Sequence, residues 1–143
     1  MTKDKLVNRT EIVVRFSEVD SMGIVWHGHY VKFFEDGREA FGKEHNLGYM
    51  DIYGNGYFAP VVKVDCNFKR YVKYGDTVVV ESEFVNTKAA KIVFKFRIFN
   101  KSNQELVAEG ESIQVFTSPD GELILTNPQF YEEWKMEKGM LEE

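Results

Sequence analysis

Between residues 62 and 116 one pattern recurs often enough to constrain everything around it. In VKVDCNFK, Val62, Val64, Cys66 and Phe68 alternate with Lys63, Asp65, Asn67 and Lys69, the period of a strand with one buried face. TVVVESEFV, KIVFKFRIF and ELVAEGESIQVF follow, divided by turns such as YGD at 74–76 and KSNQ at 101–104. Turns this short predict an antiparallel meander, because a parallel pair needs a long crossover between its strands. Glu81 and Glu83, then Lys95 and Arg97, then Glu109 and Glu111 carry opposite charges on successive strands. That order predicts cross-strand pairs on a water-facing surface.

Upstream, EIVVRF at 11–16 alternates Ile12, Val14 and Phe16 against Glu11, Val13 and Arg15 and reads as the first strand. Ser17 to Gly28 breaks the alternation and forms a structured loop. From about His29 to Glu44, Tyr30, Phe33, Phe34, Gly37, Ala40 and Phe41 recur at helical spacing without a proline. Gly37 inside that helix costs about 1 kcal/mol against alanine, so its place on the apolar face predicts a close backbone approach. Asn46 to Gly48 ends the helix, with Gly48 as the left-handed cap, and residues 49–57 form an aromatic loop. After the SPDG turn at 118–121, Asn127 and Pro128 resemble an N-cap and first residue of a C-terminal helix bearing Phe130, Tyr131 and Trp134.

The predicted fold is α+β: a five-stranded antiparallel sheet wrapped around a long central helix, with a short C-terminal helix. The sheet keeps a free edge. Pairing two copies there closes it, so a homodimer is expected.

At 143 residues, with 43% hydrophobic and 15% aromatic content, residues 1–143 are expected to form a single domain with one core. No apolar run reaches the length of a membrane span, and the polar N-terminus MTKDKLVNRT lacks a secretion signal, so a cytoplasmic protein is expected. Cys66 is the only cysteine, which rules out an internal disulfide and a cysteine zinc cage. A formal net charge of −5 argues against a nucleic-acid partner.

Chemistry concentrates in residues 16–38, FSEVDSMGIVWHGHYVKFFEDGR. There Asp20, the flexible Gly23 and His27 meet the start of the long helix, whose unpaired N–H groups stabilise an oxyanion while a nearby acid activates water or attacks directly. Taken alone, Asp20 is an ordinary turn acid. His27 and His29 are a poor metal pair, since no third ligand follows at suitable spacing. Glu35 and Arg38 are best read as a helix ion pair. Ser17 lacks a G-x-S-x-G elbow, and Cys66 alternates with core residues. Tyr49, Tyr53, Tyr57 and Phe58 are candidates to line a pocket, or simply to pack.

Asp20, Gly23, Ile24, Val25, Trp26, His27, Tyr30, Phe33, Phe34 and Glu35 stand as D-x-x-G-(I/V)-V-(W/Y)-(H/Y)-x-x-Y-x-x-(F/W)-(F/L)-(E/D). This motif, between a strand and a meander, resembles the hotdog-fold acyl-CoA thioesterases of the 4-hydroxybenzoyl-CoA thioesterase type. The resemblance implies hydrolysis of an acyl-CoA by a homodimer, or a dimer of dimers (homotetramer), with sites at the subunit interface and neither metal nor cofactor. Asp20 would be the catalytic carboxylate, as nucleophile or general base. The backbone N–H of His27 would face the thioester carbonyl, and Gly23 would let the loop deliver Asp20. Trp26 and Tyr30 would contact substrate, and Lys88 and Lys91 the CoA phosphates. One position departs from the pattern: His29 stands where the family often has asparagine. An acyl-carrier-protein thioesterase and a non-catalytic acyl-CoA-binding module are the alternatives. A hotdog dehydratase is disfavoured, because no Asp is followed five residues later by a His in the manner of the hydratase motif.

Overall fold

The computed structural model describes residues 5–140. Six strands form one antiparallel sheet: β1 (Val7–Val13), β2 (Val61–Phe68), β3 (Thr77–Val85), β4 (Lys91–Asn100), β5 (Leu106–Thr117) and the two-residue β6 (Leu123–Ile124). The order across the sheet is β1-β3-β4-β5-β2, with β6 added to the end of β5. This is the expected meander with its flanking strands.

The central helix α1 (His29–His45) lies across the inner face and buries Tyr30, Phe33, Phe34, Gly37 and Phe41. Phe34 stacks on Phe96 with centroids 4.7 Å apart, and Phe41 meets the edge of Phe94 at 4.9 Å. Gly37 is where the sheet comes closest. A Cβ there would stand 2.6 Å from the Ser82 hydroxyl oxygen and 2.7 Å from a Val80 methyl, so glycine sets how near α1 rides to β3. The result is a sheet folded around an aromatic rod, the hotdog architecture.

Four local expectations are corrected. The first strand starts earlier and stops at Val13, because the chain turns through a short 3-10 segment at Phe16–Glu18 and leaves Phe16 77% exposed. The left-handed cap of α1 is Asn46 (φ 61, ψ 43), while Gly48 is extended. Residues 49–57 are not all loop: Tyr49–Gly54 form α2, whose entry is held by the Asp51 carboxylate accepting the Gly48 N–H at 2.7 Å. Pro128, not Asn127, is the N-cap of α3 (Gln129–Glu137); the Asn127 amide instead donates to the Lys88 carbonyl at 3.1 Å.

The outer face carries the expected charge ladder. Arg97 lies between Glu81 and Glu83, at 3.1 and 3.3 Å, and Arg9 donates to Glu81 at 2.8 Å. Helix α3 closes the open end of the core, with Tyr131 bonded to the Lys91 carbonyl and Trp134 to that of His45. By contrast β2 is largely open to solvent apart from Cys66, and Val62 and Phe68 are 59% and 52% exposed. No helix among the described residues is long and apolar enough to cross a membrane.

Candidate active site

The loop entering α1 is built on one buried carboxylate. Glu18 is 1% exposed; its Oε1 accepts the Arg15 N–H at 2.8 Å, and its Oε2 accepts from the Arg15 guanidinium at 2.9 Å and the Lys32 ammonium at 3.1 Å. Burial alone raises its pKa, but the Arg15 bonds and then Lys32 more than offset this and hold the acid near 2. Its backbone carbonyl accepts the Trp26 N–H at 3.0 Å. The side chain thus ties the loop to the end of β1 and to α1, and the carbonyl draws the two arms of the loop together.

Inside those arms sits a small hairpin. Val19 bridges Val25, Asp20 N–H donates to Ile24, and Gly23 N–H returns to Asp20. The reversal needs φ +76 at Gly23, a conformation open to glycine. Asp20 is half-buried, and one of its carboxylate oxygens accepts the Met22 N–H at 2.8 Å. After the hairpin, His29 N–H bonds to Trp26 and Tyr30 N–H to His27. Among the described residues, the N–H groups of His27 and Gly28 have no hydrogen-bond partner. Two free amides therefore stand at the positive end of a 17-residue helix.

Trp26, His27 and Tyr30 stand at this end of α1, and Asp20 and Gly23 lie on the hairpin that leads to it. The Trp26 ring covers Gly28, where any Cβ would overlap it, and lies 4.8 Å from His27 and 5.5 Å from His29. His27 and Tyr30 approach Phe68 of β2 at 6.3 and 5.3 Å. Tyr30 is 3% exposed and belongs to the core. Lys88 and Lys91 lie elsewhere. Phe68 pairs with Ala108, and Ala108 with Ile98, so the β4 segment from Ile98 back to Lys91 separates the two groups by roughly 23 Å of strand. One chain does not bring them together.

At the Lys91 end opens a pocket of about 650 Å³, between the second half of α1, α2 and the inner face of β4 and β5. Tyr49, Tyr57 and Phe58 line it, together with Ile52 and Phe94; Asp20 and His27 do not. Of the four aromatic residues that the sequence marks as candidate pocket walls, Tyr53 does not line it; α2 and the walls from α1, β4 and β5 are not legible in the sequence, because they come from segments distant in the chain. No local pattern marks Glu18, because its partner Lys32 lies fourteen residues on. The Glu35–Arg38 ion pair is present, on the pocket wall. Burial and then Asp65 push the Cys66 thiol up to about 11, leaving it a poor nucleophile. No cluster of three or more potential metal ligands occurs among the described residues.

The profile of a family described as "Thioesterase-like superfamily" matches residues 14–134. YneP of Bacillus subtilis strain 168, provisionally named an acyl-CoA thioesterase, is 35% identical over 98 residues, 68% of this chain and 71% of that one. The acyl-CoA thioester hydrolase YbgC of Escherichia coli O6:H1 is 24% identical over 111 residues, covering 78% of this chain and 82% of its own. Among solved structures, the DHNA-CoA thioesterase of Staphylococcus aureus superposes with a TM-score of 0.81 at 26% identity, over 94% of this chain and 92% of that one.

Proposed function

The chain belongs to the thioesterase-like superfamily, as a thioester hydrolase of hotdog fold, and we propose that it cleaves an acyl-CoA to the free acid and CoA with Asp20 as its catalytic carboxylate. The observation that carries this reading is a half-buried carboxylate on the hairpin that leads directly to two unbonded amides at a helix start. In the general-base course, Asp20 takes a proton from water as the oxygen adds to the thioester carbonyl. The oxyanion is stabilised by the N–H groups of His27 and Gly28; the C–S bond then breaks and the thiolate recovers the proton. In the nucleophilic course, Asp20 adds to the carbonyl itself, the C–S bond breaks and CoA leaves as the thiolate; water then cleaves the resulting anhydride, releasing the free acid and the Asp20 carboxylate, and its proton goes to the thiolate.

The reading extends to an assembly. Helix α1 runs antiparallel to β2, so its N-terminus lies at the Phe68 end and the pocket at the Val61 end, beside Ala59 and Pro60. Two-fold pairing of β2 with its own copy sets the Phe68 end of one against the Val61 end of the other. Asp20 of one copy then faces the pocket of its mate, and Lys88 and Lys91 of that mate are available to the CoA phosphates. This also covers the exposed Val62, Val64 and Phe68.

Thiol release from a panel of acyl-CoAs tests the activity. The expected result is turnover that falls at least about 10²-fold in Asp20→Asn with the fold unchanged. Wild-type rates in that variant overturn the role of Asp20; binding without thiol release by the parent protein identifies a sensor.

A further inference from the structure

We infer that the pocket between α1, α2 and the sheet receives a long, neutral aliphatic acyl chain, not a single aromatic ring or a dicarboxylic acyl group; this rests on the thioesterase reading above. Size is the first argument. A cavity of about 150 Å³ is enough to bind benzene, whereas this pocket holds about 650 Å³. A benzoyl group would leave most of its wall without contact and forfeit the dispersion and burial that such a surface supplies.

The chemistry of the wall is the second argument. Leu47, Ile52, Phe58, Pro60, Ile92 and Phe94 make it predominantly apolar. Its one cation, Arg38, is paired with Glu35 through Nη2 while its Nη1 is buried without a partner, and the Gln114 amide donates to the Ala59 carbonyl at 2.7 Å. The remaining ionisable wall residues are Asp36, Glu39, Tyr49 and Tyr57, so carboxylates outnumber guanidinium three to one and repel an anionic tail. A flexible hydrocarbon fits both the volume and the charge.

The test is kcat/KM for butanoyl-, hexanoyl-, octanoyl-, dodecanoyl-, benzoyl- and succinyl-CoA. Each methylene that reaches the wall is expected to raise kcat/KM about three- to fourfold, with the rise continuing past hexanoyl, and with benzoyl and succinyl thioesters poor. Ile52→Trp should lower the dodecanoyl-to-butanoyl ratio at least about tenfold, a ratio that partial misfolding does not change. A flat series, or a preference for benzoyl- or succinyl-CoA, overturns the inference while leaving hydrolysis intact. If no thioester is cleaved, the reading of the activity fails instead. The pocket is then judged by calorimetry on Asp20→Asn: dodecanoyl-CoA binding more tightly than butanoyl-CoA supports it, and equal affinity refutes it.

Discussion

The carboxylate of Glu18 meets the ammonium of Lys32 at 3.1 Å, joining the loop before the long helix to the helix's first turns. Arg15 completes the arrangement from the other side at 2.9 Å. On the proposed mechanism, Glu18 positions Asp20 and the amides of His27 and Gly28. Glu18→Gln keeps an acceptor for the Arg15 N–H but loses the charge. We predict a kcat lowered about tenfold with KM little changed, and a stability loss of about 1–2 kcal/mol, less than for a fully buried pair because Arg15 and Lys32 are about half exposed. A fall confined to stability, with kcat intact, would leave Glu18 a purely structural residue.

The same group sets a response to acid. Its pKa falls from an ordinary value of 4.5 to about 2 on folding, so the unfolded chain binds its proton first as pH drops. The stabilisation is complete above about pH 4.5, shrinks below it and is gone beneath about pH 2, with a total on the order of 2 kcal/mol. Denaturant melts between pH 6 and pH 2 should show this slope, and Glu18→Gln should flatten it.

Gly37→Ala sets helix propensity against space. Alanine is favoured in a helix by about 1 kcal/mol, but its Cβ would press on Ser82 and on the stiff, branched Val80. The crowding is expected to win, with a net loss of about 1–2 kcal/mol in denaturant unfolding. Ser82→Ala in the same chain should recover part of it; an unchanged or raised melting temperature in the single variant would contradict the close approach.

The free edge of β2 makes its own prediction. Val64→Arg places a charge where two copies of the strand would meet near their symmetry axis. Sedimentation should report a monomer with native circular dichroism and turnover reduced more than tenfold, because the acid and the pocket no longer meet. A monomer at full activity would remove the shared site.

The parts of the fold legible in the sequence are those written in short-range periodicity. The meander, the span of α1 and the Glu–Arg–Glu ladder follow from residues two to four apart. Gly37 was informative because a costly residue in a helix needs a reason, and β3 supplies it. What escaped depends on distant partners. Phe16 continues the alternation of β1 in sequence, yet the pull of Glu18 on Arg15 turns it outward. Helix α2 is too short to show a period. Gly110 lets β5 pass where a Cβ would overlap the Asp65 carbonyl and the Phe34 ring, a constraint visible only once the strands are assembled. The motif marks the hairpin and the helix entrance, whereas the Glu18 ion pairs and the remaining walls of the pocket take shape only through tertiary contacts.

The placement of Trp26 over Gly28 carries one more consequence. The chain has two tryptophans; Trp134 is sealed in the core with its indole N–H on a carbonyl, while Trp26 is half open to water between two imidazoles. Their emission should separate into a blue component that tracks unfolding and a red one, quenched by iodide, that tracks whatever arrives at the helix mouth. The molecule carries its own pair of optical probes, and no dye need be attached to watch occupancy and integrity at the same time.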